Sequence, residues 1–485
     1  MIVTSFSGLE LRSEFGGAGA CKLARNVMLA GNGELWRRPG LRSLGTVRGA
    51  GLVSLRGRPV VVTNVASGFP SYGALDELVI QAALAPDRLI GAVLTSQGTP
   101  LILVGLADGS VELHAAAINA APSSTTKIDA KFDPEPLGLV KVGGRAAVLD
   151  RSGRFLRYSA VDNPEDPLSL MKWVADGTDM GAGYIEIGQF LGGSVPTGIA
   201  EWSGRVAIFS SQGVLLVRIA QDQISHSIEG VVTGPGLSRT DRGPVCVPIG
   251  GDLLYLSPAG IRSVSQSSEA QAAAESGLGG SVDQAVEELS QRPWMNATYW
   301  PKRGCVLWAF ANGTETTVLC LARAWGGDGA SGWTRWEFDA PWGEITANND
   351  GLFLRSEGNL YRLDETQDGD AIGSGTLKDI EVLLEFHAAR QKTWGRCEGM
   401  SLLLTGQAEG QLVVDGRPSL GADGRLSDET WTIPFYGRSP EWCHCRSAWL
   451  GRSLGLRVFA RNTRHDWRLM GYELVGIKEP KDGTI

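Results

Sequence analysis

Only five of the 485 residues are histidine and only seven are cysteine. The cysteines are scattered and odd in number, which argues against a full disulfide framework. No stretch approaches the roughly 18 apolar residues of a membrane-spanning helix. The start, Met1-Ile-Val-Thr-Ser-Phe-Ser-Gly-Leu-Glu10, has neither the cationic nor the apolar block of a secretory signal. These gaps point to a soluble protein, cytosolic or built in the cytosol into something larger. Positive charge is also short: 45 Lys and Arg against 53 Asp and Glu leave a net −8. That argues against a surface that grips nucleic acid by neutralising phosphates, though not against nucleic acid that passes without sticking. There is no HExxH, no GxSxG, no Walker loop and no GxGxxG after a clear strand. Helical patterns are few. The one credible helix lies within Glu269–Gln291, where Ser281-Val-Asp-Gln284 reads as a capping box and Pro293 as the stop.

Glycine and tryptophan are plentiful, 65 and 15. The glycines close one recurring phrase: an apolar strand, a short turn, and a second strand. Leu101-Ile-Leu-Val-Gly-Leu-Ala-Asp-Gly109 leads to Ser-Val-Glu-Leu113, and Arg205-Val-Ala-Ile-Phe-Ser-Ser-Gln-Gly213 leads to Val-Leu-Leu-Val217. The same phrase turns on Gly153, Gly260, Gly313 and Gly358, and more weakly on Gly57. These glycines lie 44 to 60 residues apart. Hairpins at such a period are the sequence form of a β-propeller, one sheet per repeat. The expected fold is all-β, with six blades, or seven if Gly57 marks a first hairpin; six is favoured.

Composition divides the chain. Residues 1–40 read as an N-terminal arm and first strand, 41–363 as the propeller, and the acidic, glycine-rich 364–375 as a linker. Residues 376–478 carry longer alternating strands and read as an independent C-terminal β-sandwich. That module is locally basic. Over 438–478, Arg438, Arg446, Arg452, Arg457, Arg461, Arg464, Arg468 and Lys478 face only Glu441, Asp466 and Glu473. Arg446, Arg452, Arg457, Arg461, Arg464 and Arg468 are the candidate partner-interface residues.

Three constellations could carry chemistry. Cys443 and Cys445 share one face of a strand, with His444 on the other, but no second pair at zinc-site spacing accompanies them. Two core cysteines are the expectation, and no metal. Trp294, Trp300, Trp308, Trp325, Trp333, Trp336 and Trp342 could line a groove for sugars or bases. Packing between blades is favoured. Glu165, Asp166 and Glu186 could pair as glycosidase carboxylates, but 53 acids guarantee chance pairs. No catalytic constellation and no cofactor site emerge.

Three patterns together resemble the tail hub or nozzle proteins of short-tailed bacteriophages, the packaged-DNA stabilisation and tail tubular protein B group. The first is Asn26…Gly33-Glu-Leu-Trp36-Arg-Arg-Pro-Gly40. The second is Arg157-Tyr-Ser-Ala160 with Pro164 and Pro167, then Tyr184-Ile-Glu-Ile-Gly188 and Gly198-Ile-Ala-Glu-Trp-Ser-Gly-Arg-Val-Ala-Ile-Phe-Ser210. The third runs Trp394-Gly-Arg-Cys-Glu398, Leu404-Thr405, Asp415-Gly416, Arg446…Gly451-Arg452…Leu456-Arg-Val458 and Gly471 to Val475. The resemblance implies a virion tail protein without enzyme activity, in a six-fold ring below the portal and its adaptor. It implies contacts with tail fibre, spike or needle proteins, and with double-stranded DNA in transit. The rival readings are a cytosolic protein-interaction propeller and a carbohydrate-binding or hydrolysing propeller.

Overall fold

The computed structural model describes residues 2–3, 8–9, 20–30, 32–46, 49–55, 58–64, 79–82, 86–106, 109–115, 124–127, 136–166, 168–175, 177–178, 180–222, 224–233, 245–265, 280–322, 332–365, 367, 370–371, 380–387, 395–406, 410–419, 429–435, 440–451, 453–460 and 467–475. Among these the protein is almost wholly β, with one α-helix, Asp283–Leu289.

Seven sheets follow one another along the chain. Blade 1 comprises Gly49–Leu55, Arg58–Asn64 and Val79–Ala82; blade 2 comprises Pro86–Leu94, Pro100–Leu106, Val111–Ala115 and Ser124–Lys127. Blade 3 is Leu139–Val142, Arg145–Leu149, Phe155–Tyr158 and Gly183–Glu186; blade 4 is Pro196–Trp202, Arg205–Ser210, Gly213–Arg218 and Ser227–Thr233. Blade 5 has three strands, Cys246–Ile249, Asp252–Ser257 and Gly260–Ser263, and the helix packs beside the last of them. Blade 6 is Trp294–Trp300, Cys305–Ala311, Thr316–Ala322 and Trp333–Phe338. Blade 7 is Ile345–Ala347, Leu352–Ser356 and Asn359–Asp364, completed by Gly40–Thr46.

Each first strand lies beside the first strand of the next blade, and that of blade 7 returns to that of blade 1. The sheets therefore stand in a closed ring around their first strands, the arrangement of a β-propeller. Two glycines let neighbouring inner strands touch. A Cβ on Gly51 would fall 2.7 Å from the Leu89 Cβ, and one on Gly91 2.9 Å from both the Cβ and the backbone N of Leu139. The ring is closed from the far end of the sequence: Gly40–Thr46 runs antiparallel to Asn359–Asp364, with Leu41 opposite Leu363. Such closure satisfies the last blade's outer edge, which would otherwise be open.

The favoured count of six becomes seven. The turn glycines from Gly109 to Gly358 each fall at or between the second and third strands of one blade, whereas the weak hairpin about Gly57 joins the first and second strands of blade 1; Gly57 itself is outside the described residues. Among the described residues blade 1 has three strands, with the third parallel to the second. The capping box is another difference. The helix starts one residue later than a Ser281 cap requires: its N-cap is Val282, which has no side-chain acceptor, and Asp283 in the first turn pairs with Arg262 at 3.2 Å.

The largest difference concerns residues 1–40. Those of them that the structure describes pair into sheets instead of forming an arm. Ala20–Arg25 runs between Trp333–Phe338 of blade 6 and Ile380–His387, so the blade 6 sheet continues into the C-terminal one. Ile380–His387 is followed in that sheet by Ser453–Ala460, Gly410–Ser419 and Glu429–Phe435. The second C-terminal sheet orders Glu441–Gly451, Gly395–Gly406, Trp467–Val475, Leu35–Arg37 and Val27–Leu29, with Ile2–Val3 also against Trp467–Val475. Leu402, Cys443, Leu469 and Tyr472 of this sheet share one core with Trp308 and Trp333 of blade 6 and Tyr255 of blade 5. The module expected at 376–478 is therefore not independent. Its open edges are paired by strands more than 350 residues away in sequence, a non-local choice that no local pattern encodes.

One buried node fastens the junction. Arg38 is fully buried and donates Nη1 to Asp370 Oδ1 at 3.0 Å and Nη2 to Asp370 Oδ2 at 2.6 Å. Its remaining donors reach Asn26 Oδ1 at 3.1 Å, Pro39 O at 3.0 Å and Glu337 O at 3.0 Å. The guanidinium lies 3.9 Å above the Phe338 ring. Asn26 accepts the backbone N–H of Glu337 at 2.8 Å with the same side-chain oxygen and holds φ at 57°, a left-handed angle that asparagine tolerates better than most residues. The N-terminal segment, blade 6 and the segment after blade 7 meet here.

Candidate interaction surface

Arg145 opens the second strand of blade 3, whose other residues are all apolar and buried. It too is fully buried. Nη1 donates to Ser159 O at 2.8 Å, Gly181 O at 2.5 Å and Met180 O at 3.4 Å; Nε donates to Ala220 O at 3.1 Å, and Nη2 to Gln221 O. The plane sits 5.0 Å from the Tyr158 ring centre. Burial pulls its pKa down, opposed by Tyr158 and Asp222. A guanidinium starts so high that it remains a cation at neutral pH. One side chain thus ties the 159–182 loop of blade 3 to the 219–226 loop of blade 4. A rigid fork of five donors suits carbonyls arriving from two directions, and a lysine could not replace it.

His226 closes the second loop. Its Nδ1 accepts the Ala220 backbone N–H at 3.0 Å, so the neutral ring carries its proton on Nε2. The ring meets Tyr158 edge-on, 4.6 Å between centroids at 71°. Burial lowers its pKa, Arg145 lowers it further, and Asp222 opposes both. Asp222 in turn caps the loop, accepting the Ser225 N–H at 2.6 Å. The first loop is sewn just as firmly. Asp162 accepts from Ser96 N at 2.6 Å, Ser96 Oγ at 3.1 Å and Lys141 Nζ at 2.5 Å, which links it to blade 2. Lys172 reaches Asp166 at 2.7 Å, and Leu170 and Met171 fill the core between blades 2 and 3.

On these anchored loops, apolar side chains stand in solvent: Ile224 at 85% exposure, Val174 at 80% and Met180 at 53%. These exposed aliphatics make the loop surface held by Arg145, His226 and Asp162 a candidate interaction surface. Local sequence missed it, although a lone arginine heading an apolar strand was a usable signal for Arg145.

The interface candidates read from sequence lie elsewhere. Arg468 is in Trp467–Val475, its guanidinium 4.0 Å over the Trp36 ring, which Arg303 of blade 6 also approaches at 5.4 Å. Arg446 and Arg457 lie in strands, opposite Gly399 and Leu383 respectively, and their side chains are outside the described residues. Arg452, Arg461 and Arg464 are outside them altogether. Cys443 packs in the core, His444 faces out with Nδ1 2.6 Å from Ser401 Oγ, and the Cys445 side chain is outside the described residues. Among the described residues no group of three His, Cys, Asp or Glu could hold a metal ion, and no helix is long and apolar enough to cross a membrane. Trp300, Trp308, Trp333, Trp336 and Trp342 are buried, so they fill the ring and offer no groove; Trp325 is outside the described residues. Asp166 is held by Lys172, which lowers its pKa, and Glu186 lies 3.6 Å from Arg154. These two carboxylates serve local ion pairs, and Glu165 is exposed, its backbone N–H bonded to Asn163 Oδ1.

No protein-family model matches the chain, and comparison with curated proteins gives no match. Among solved structures, the chain is similar to BamB from Moraxella catarrhalis at 11% identity, covering 66% of this chain and 97% of that one, with a TM-score of 0.35. A streptogramin B lyase is similar at 10% identity, covering 58% and 95%, TM-score 0.30. The Pan2 WD40 domain of Neurospora crassa is similar at 7% identity, covering 70% and 88%, TM-score 0.35.

Proposed function

We propose that this protein is the tail hub or nozzle of a short-tailed bacteriophage: a seven-bladed propeller with a terminal β-sandwich. In this reading it assembles as a six-fold ring under the portal and adaptor, retains packaged DNA and conducts it during ejection, without catalysis. It resides in the virion tail, built in the host cytoplasm, and contacts fibre, spike or needle proteins.

The observation that carries the reading is the knitting of the two parts into one body. A conduit between a pressurised head and a tail must transmit load without a hinge. A shared sheet, a shared core and the Arg38–Asp370 pair supply that continuity. The residues of the first quoted pattern, Asn26 and Arg38-Pro39-Gly40, are the ones that build this node and the closing strand beside it. The net charge of −8 suits DNA that slides past, since each lasting phosphate contact would slow transit.

Disrupting the gene tests it. Particles should package DNA and then leak it, or lack a complete tail. Particles that hold their genome and eject it normally without this protein would sink the proposal.

A further inference from the structure

We propose that the outer face of the second C-terminal sheet binds a neutral saccharide, with Trp442 as the stacking platform. The inference stands on that sheet face alone and does not depend on the conduit reading.

Strand alternation defines the face. Cys443, Leu402 and Tyr472 lie in register across three neighbouring strands and point into the shared core. The residues beside them in the chain therefore point outward. One outward row is Trp442, Leu403 and Gly471, and the next is His444, Ser401 and Glu473. Two such rows lie about 7 Å apart, two residues of strand rise. The indole of Trp442 is 37% exposed, and Gly471 at the far end of its row adds no side chain above the sheet. In the second row Ser401 Oγ and His444 Nδ1 are 2.6 Å apart, which steadies an exposed imidazole and leaves its Nε2 to an outside partner. The half-exposed Glu473 stands on the other side of Ser401. Neither its carboxylate nor His444 Nε2 has a partner among the described residues.

These two rows match the two sides of a sugar. A pyranose has a face of C–H groups and a rim of hydroxyls. The indole takes the first by dispersion and ring contact. Beside it, within one ring's reach, His444 Nε2 and the Glu473 carboxylate take the second. Glu473, on a chain of net charge −8, repels acidic sugars and nucleotide phosphates, so the ligand is neutral. A protein partner would need a broader apolar area than one indole and one partly buried leucine.

The test titrates the purified full-length chain with neutral trisaccharides (maltotriose, mannotriose and chitotriose) by calorimetry and saturation-transfer NMR. At least one should bind with a Kd on the order of 1 mM or tighter, and its ring C–H protons should receive the strongest saturation. Trp442→Ala should weaken that binding about tenfold or more, as loss of a central aromatic contact does, and Trp442→Phe should retain part of it. Glu473→Gln keeps the size of the side chain, and therefore the fold, and should weaken binding several-fold by removing a charged acceptor. This second variant decides the matter even where Trp442→Ala folds poorly. Failure of all the neutral probes to bind overturns the proposal. So does binding that Glu473→Gln or a folded Trp442→Ala leaves unchanged, or tighter binding of an acidic probe, sialyllactose. Each of these results would leave the conduit reading to the particle genetics, and a failed genetic test would leave a measured sugar site standing.

Discussion

Replacing Asp370 with alanine should cost far more than an ordinary ion-pair deletion. Arg38 is wholly enclosed, and Asp370 occupies both terminal nitrogens, at 3.0 and 2.6 Å. Removing the carboxylate leaves three acceptors, Asn26 Oδ1, Pro39 O and Glu337 O, all uncharged. The guanidinium cannot swing to water, because the Phe338 ring lies 3.9 Å beneath it. Breaking a buried pair on one side typically costs about 3–5 kcal/mol, since the remaining charge is left uncompensated. At roughly 2 °C per kcal/mol for a large domain, the apparent melting temperature should fall by roughly 6–10 °C. Arg38→Lys should fall by a similar amount, because an ammonium cannot span two carboxylate oxygens and three further acceptors at once. Arg38→Met combined with Asp370→Leu should recover most of the loss, as apolar replacements of buried pairs often do. The assay is a thermal scan at matched rate, completed as a double-mutant cycle. A single Asp370→Ala variant within about 1 kcal/mol of wild type, or a double variant as unstable as the sum of the singles, would refute the view of this node as the clasp of the junction.

Other outcomes follow from the same structure. Protease nicking in 364–379 should leave the two fragments together on size exclusion, separating only in denaturant, because Ala20–Arg25 and Leu35–Arg37 remain paired to the C-terminal sheets; immediate release of a free fragment of about a hundred residues would contradict the pairing. Gly91→Ala should destabilise by about 1–3 kcal/mol, the ordinary cost of overpacking, as its Cβ would press on the Leu139 backbone; an unchanged melting temperature would show that the inner strands have room to part. Stability should fall on acidification. His226 and His114 both have pKa values lowered, by burial first. The folded state therefore binds fewer protons than the unfolded one near and below about pH 6.5. Their contribution is whole above that value and is lost as pH falls toward the lower folded values, so the slope of melting temperature between pH 7 and 5 should shrink in His226→Gln. An identical slope in the variant would count against it.

How much of this was legible beforehand can be read from particular residues. The turn glycines from Gly109 to Gly358 encode their hairpins locally, because strand, turn and strand lie within 12 to 18 residues and alternation sets which face is buried. Cys443 inward and His444 outward likewise needed only the two-residue period of a strand. The third strand of blade 1 joins in parallel, a pairing that no hairpin pattern announces. The Arg145 surface was invisible for a different reason. Nothing in Arg145-Ala-Ala-Val-Leu149 says that Gly181 and Gln221 will stand beside it, since those carbonyls are delivered by another loop and another blade. The same holds for Arg38, which waits for an aspartate 332 residues further on. Local spacing determined that this chain is a run of hairpins with an acidic balance. Which segments close the ring, join its two parts and stiffen its loops was decided only in three dimensions. Backbone edges and buried charges take whatever partners the whole fold brings within 3 Å, and sequence distance does not enter that choice.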